Sequence, residues 1–138
     1  GDVDGLHPET AAVLKKAVAK TKDNTGLNLV VALNYSSRAD ILQAVKSLAN
    51  EVKEGKLTPA EITELTFKEK LATAHLPEPD LIVRTSGELR LSNFLLWEAA
   101  YSEIWVTPTL WPDFRPKDLK QAIRDYQARE RRFGALKS

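Results

Sequence analysis

Two arginines six residues apart, Arg84 and Arg90, share the segment RTSGELRLSNF (residues 84–94) with Thr85, Ser86, Ser92 and Gly87. Guanidinium groups are permanently charged planar forks that match phosphate oxygens in pairs. The hydroxyls add donors, and Gly87 lets the backbone bend close to a ligand. Ser92-Asn93 stands where a helix N-cap is expected, so free N–H groups and a positive dipole end add to the same focus. Such a donor-rich segment suits an anion, and two arginines suit more than one phosphate. Neither GxxxxGK[ST] nor GxGxxG is present, so this is not a Walker loop or a dinucleotide fingerprint. A structural reading competes: Arg84 and Arg90 make salt bridges to Glu88 or Glu98, and Ser92-Asn93 is only a cap.

Glu103 follows an apolar helix and precedes the run IWV. A carboxylate at a strand start can ligate Mg2+, a hard cation that commonly bridges to substrate phosphates. A lone glutamate is more often simply solvated, and Asp80, before the other strand, reads as a cap or turn residue. In RERRFG (129–134) three arginines fall within four positions at a helix end. They favour the dipole there. They are either a solvated helix end or an arm that carries arginine to an anion in another site.

Composition narrows the classes. The chain has 138 residues, 43% hydrophobic and 28% charged, which suits one domain with a real core. A net charge of +1 gives no global basic field for nucleic acid, so any anion site is local. With no cysteine, disulfides and thiolate chemistry are excluded, and two histidines do not suit a histidine-rich metal site. No apolar run approaches the length of a bilayer span. The opening GDVDGLHPET reads like the exit from a strand whose body is missing, as in a piece of a longer chain. The alternative is a tag scar before an intact small domain.

The elements that position these residues alternate. Pro8 starts a first helix, with Leu14, Val18 and intervening alanines as its buried stripe. LNLVVAL (27–33) predicts a strand buried on both faces. Residues 38–55 predict a second helix with Ile41, Val45 and Leu48 on one face. Thr58-Pro59-Ala60-Glu61 is a helix start, followed by short helical pieces to about Ala74. DLIVR (80–84) and EIWVT (103–107) predict two more strands, separated by a helix through FLLWEAAY. A long final helix begins at Pro116. This order predicts an α/β fold, a parallel sheet flanked by helices, with ligands beyond the carboxyl ends of the strands. Both the Arg84 loop and the Asn34–Arg38 turn lie at such ends.

Three segments, GLNLVVALNYSSRADI, DLIVRTSGELRLSNFLLWEAAYSEIWVTPTLWPDF and RERRFG, resemble the cis-prenyltransferase family in order and spacing. The family comprises the Z-type isoprenyl diphosphate synthases such as undecaprenyl diphosphate synthase. The resemblance implies that residues 1–138 are the carboxyl-terminal portion of one cis-prenyltransferase domain, an incomplete fold. It implies prenyl transfer from an allylic diphosphate to isopentenyl diphosphate, giving a cis-polyprenyl diphosphate. By position, Arg84, Arg90 and Ser92 would bind the isopentenyl diphosphate, and Glu103 would ligate Mg2+. Arg132 and Gly134 would reach a diphosphate in the partner subunit of a homodimer. The family's catalytic aspartate lies upstream, so no catalytic residue is assigned within the segment, and the segment alone is expected to be inactive. A cytoplasmic enzyme, or a plastid one, is expected, with membrane-surface association through its lipid product and no nucleic acid partner.

The chain departs from the family pattern at two places. Leu89 stands where histidine or another polar residue is frequent, and NYSSR stands where NYGGR is common. Irregular coupling of two allylic units, as in lavandulyl-type synthases, is an alternative. So is a non-catalytic subunit of a heteromeric enzyme, or a plain phosphate-binding α/β module.

Overall fold

The structure, a computed structural model, describes residues 1–129 and divides into two compact units, Gly1–Ala74 and one beginning at His75. In the first unit, α1 (Pro8–Thr21) has Pro8 at its first turn with Glu9, and Lys20 near its end. That charge order complements the helix dipole. The expected stripe is not buried: Val18 is 67% exposed, and no α1 residue is buried. The principal helix packing in this unit is instead between α2 (Ser37–Lys53) and α3 (Glu64–Lys68).

Ser36 caps α2 by accepting from the Ala39 N–H at 3.2 Å. The buried face of α2 runs through Ser37, Ala44 and Leu48, with Ile41 half-buried between them. That spacing of four, three and four residues is one helical stripe. Val45, expected on this face, is 48% exposed. It lies one position, roughly 100°, round the helix from Ala44. Leu71 completes the buried cluster, and Asp40 Oδ1 accepts from the Ala72 N–H at 3.0 Å. Thr58 and Glu61 form the expected capping box, with the Thr58 N–H donating to Glu61 Oε2 at 2.7 Å. It opens a 3-10 turn, Pro59–Glu61.

The strand expected at 27–33 does not form. Leu27 is 94% and Leu29 82% exposed, and no ladder runs along the segment among the described residues. A strand persists only as one member of a hydrogen-bonded pair, because its backbone groups cannot satisfy each other. The nearest pairing is just beyond it, where the Asp2 N–H donates to the Asn34 carbonyl at 3.2 Å.

The second unit holds β1 (Leu81–Arg84) and β2 (Glu103–Val106), paired in parallel with Leu81 opposite Glu103 and Arg84 opposite Val106. This is the parallel α/β arrangement expected, with two strands rather than three among the described residues. The final helix, α4 (Pro116–Gln127), packs on β2. Trp105 Nε1 of β2 donates to Asp125 Oδ2 at 2.7 Å, Gln121 Nε2 donates to Asp125 Oδ1 at 2.7 Å, and Ala122 is buried. The helix expected between the strands is reduced to turns and one 3-10 segment, Glu98–Tyr101.

Candidate anion-binding loop

The chain leaves β1 at Arg84 and turns through Ser86 and Gly87, with φ of 65° and 68°. Two successive left-handed residues reverse the chain sharply, and only Gly87 does so without a steric cost. The turn is braced by the exit from β2. The Thr107 N–H donates to the Arg84 carbonyl at 2.9 Å, the Gly87 N–H to Thr107 at 2.8 Å, and the Ser86 N–H to Thr109 at 3.0 Å. The buried Thr107 donates its hydroxyl to that of Thr109 at 3.0 Å. Thr107 and Thr109 were not among the candidate residues. Their only sequence signal is a pair of hydroxyls, two apart, directly after an apolar run.

The side chains of the turn converge on one carboxylate. Arg84 Nη2 donates to Glu88 Oε2 at 2.7 Å and to Ser92 Oγ at 3.4 Å. Arg90 pairs with the other oxygen, Glu88 Oε1. Three expected anion-binding residues, Arg84, Arg90 and Ser92, are therefore gathered in one place. The competing salt-bridge reading holds at the same time, with Glu88 as the partner. The hydrogen bond from Arg84 is the chief cause that holds the Glu88 carboxyl below the usual range; desolvation opposes it, and the positive charges of Arg90 and Arg84 add to the lowering.

The expected helix N-cap is corrected. Ser92 and Asn93 have φ of 50° and 62°, and Leu95 has 49°, so no α-helix starts there. Left-handed residues cannot begin a right-handed helix, so Ser92 and Asn93 bring no helix N-terminus to the loop.

Glu103 is not brought to this cluster. It opens β2 opposite Leu81, whereas the loop leaves from Arg84, three register positions further on. That is about 10 Å along parallel strands. Its carboxylate accepts from Arg129 Nη1 at 2.5 Å, and Arg129 also reaches the Ile104 carbonyl at 3.2 Å. Among the described residues no group of three or more His, Cys, Asp or Glu could hold a metal ion. Asp80 accepts from the Tyr126 hydroxyl at 3.2 Å and from the Glu103 N–H through its carbonyl at 3.0 Å, so it knits β1, β2 and α4 together. Arg132 and Gly134 lie outside the described residues. In the first unit, the Asn34–Arg38 turn borders a cleft of about 360 Å³ lined by Asp2, Asn34, Tyr35, Ser36, Asp40 and Gln43.

A family model described as "Putative undecaprenyl diphosphate synthase" matches residues 1–134. The chain belongs to the undecaprenyl diphosphate synthase family. An isoprenyl transferase of Heliobacterium mobile is 56% identical over 99% of this chain, and one of Streptococcus pyogenes is 54% identical over the same share. The chain spans 53% and 56% of those two relatives. The crystal structure of lavandulyl diphosphate synthase from Lavandula x intermedia, in complex with dimethylallyl diphosphate, superposes with a TM-score of 0.92. It is 38% identical to this chain and covers 98% of it, and the match covers 58% of that synthase. The two-stranded parallel sheet and its helices are thus part of a cis-prenyltransferase fold.

Proposed function

We propose that this chain serves prenyl transfer from an allylic diphosphate to isopentenyl diphosphate, and that its Arg84 loop binds the isopentenyl diphosphate. The observation that carries the reading is the convergence of Arg84, Arg90 and Ser92 at the carboxyl end of paired parallel strands. The chemistry asks for no nucleophilic side chain. The allylic carbon–oxygen bond breaks and diphosphate departs. The isopentenyl double bond supplies the electrons of the new carbon–carbon bond, and a proton is lost. Arg84 and Arg90 hold the diphosphate of the attacking unit, which fixes where its double bond lies. Orientation of this kind is a large part of catalysis between two bound partners.

Mg2+ would neutralise charge on the departing diphosphate. The described residues do not by themselves form its site. Glu103 offers one carboxylate, already engaged by Arg129, at the other end of the strands from the loop. The Mg2+ role of Glu103 is therefore proposed only for an assembly in which Arg129 is displaced and further oxygen ligands are supplied. The homodimer, in which Arg132 and Gly134 serve the partner subunit's diphosphate, and the membrane-surface association belong to the same proposal.

The lavandulyl diphosphate synthase match favours one second reading, irregular coupling of two allylic units. Calorimetric titration separates the readings. Regular coupling expects isopentenyl diphosphate to bind better than dimethylallyl diphosphate, and both better than inorganic phosphate. Equal binding of inorganic phosphate would leave only a plain phosphate module.

A further inference from the structure

Glu88 occupies the centre of the loop it belongs to. Each of its oxygens is given to a different arginine, one to Arg84 and one to Arg90. The loop thus carries its own anion, set between the two groups that an incoming phosphate needs. The Ser86 and Gly87 N–H groups at the turn are spent on Thr109 and Thr107. An anion that takes the two guanidinium groups competes with Glu88 for them.

The two arginines are held unequally. Arg84 is also within reach of Ser92, and its side chain is 31% exposed, against 62% for Arg90. Arg90 is the arm that can swing from Glu88 to a ligand, and Arg84 is the fixed post. We infer that Glu88 is a resident counter-ion that sets a charge threshold for the loop, so that a diphosphate displaces it and a lone phosphate competes poorly. This rests on the reading of the loop as a diphosphate site. The physical reason is stoichiometric. Glu88 already supplies one oxygen to each guanidinium, so a competitor gains most by serving both guanidinium groups fully at once. A diphosphate has two phosphoryl groups, one for each arginine. A monophosphate meets one arginine well or both poorly, and stays beside an ionised carboxylate that repels it.

Glu88 is then a specificity-determining residue, and selectivity, not affinity alone, is the quantity that tests it. The protein and its Glu88→Gln and Glu88→Asp variants are titrated calorimetrically with inorganic phosphate and inorganic diphosphate at neutral pH and constant ionic strength. Glutamine keeps the shape and loses the charge. Glu88→Gln is expected to bind both anions more tightly, with the larger gain for phosphate, so that the preference for diphosphate falls about tenfold, the effect of roughly 1.4 kcal/mol. Glu88→Asp keeps the charge and is expected to keep the preference. An unchanged preference in Glu88→Gln, or a loss of both anions together, overturns the inference and leaves Glu88 as a positioning residue. The same loss of preference in Glu88→Asp overturns it too. A wild-type protein without any preference for diphosphate overturns the diphosphate reading as well. That outcome is distinct because it is read before any substitution.

Discussion

Three residues around one carboxylate decide what the Arg84 loop can do. Arg90 is the more exposed of its two cations, so its removal leaves the turn intact. Arg90→Ala is expected to weaken isopentenyl diphosphate binding by about 1.5–3 kcal/mol, roughly tenfold to a hundredfold in Kd, the range for a charge-assisted hydrogen bond. Calorimetry on the variant measures this, and an unchanged Kd would remove Arg90 from the assignment. Glu88 supplies a pH test. Its carboxyl is held low chiefly by the hydrogen bond from Arg84. A carboxyl depressed in the folded state stabilises that state above its unfolded pKa, and the contribution is lost as pH falls through the folded one. The wild-type protein is therefore expected to be more resistant to urea than Glu88→Gln at neutral pH, and the two are expected to converge under acid conditions below the usual glutamate range. A gap that stays constant into acid would mean that the Glu88 ion pairs do not act through its charge.

At the scale of elements, position follows from a few fastenings. The loop is aimed by β1 and β2, and β2 is fastened to α4 through Trp105, Asp125 and Gln121. Trp105→Phe removes one hydrogen bond to a carboxylate and little of the aromatic volume. It is expected to cost about 1–2 kcal/mol in urea unfolding followed by circular dichroism. A larger loss would point to packing rather than the hydrogen bond. In the first unit the cluster of Ala44, Leu48 and Leu71 holds α2 in place. Leu48→Ala is expected to cost about 2–5 kcal/mol, since it leaves a cavity in a small core. A cost below 1 kcal/mol would mean that the site collapses freely. The apolar run 27–33 shows the opposite case, where a strand composition without a paired neighbour produces no strand.

At the scale of the molecule, the chain spans about half the length of the two isoprenyl transferases described above. The described residues hold the Arg84 loop proposed to bind an anion and one arginine-paired glutamate, and no cluster of metal-ligating side chains. Supplied with isopentenyl diphosphate, dimethylallyl diphosphate and Mg2+, the 138-residue chain is expected to bind diphosphate and form no product. Radiolabelled isopentenyl diphosphate and an organic extraction measure this. Sustained formation of a prenyl product by the purified chain would contradict it.

The family was legible in the amino-acid sequence because the residues of its middle motif are contiguous. The segment from Arg84 to Ser92 keeps its donors within nine positions, so their chemistry can be read without a fold. Helix and turn starts with local signals were legible for the same reason: the Pro8 and Thr58 signals act over one turn. The tertiary structure alone decided what depends on distant partners. It placed Thr107 and Thr109 under the turn, made Glu88 rather than Glu98 the bridge between Arg84 and Arg90, and put Glu103 against Arg129. It also exposed Leu27 and Leu29, although their composition favours a buried strand. Propensity and side-chain chemistry are properties of short segments, whereas burial, register and ion-pair choice depend on which segments meet.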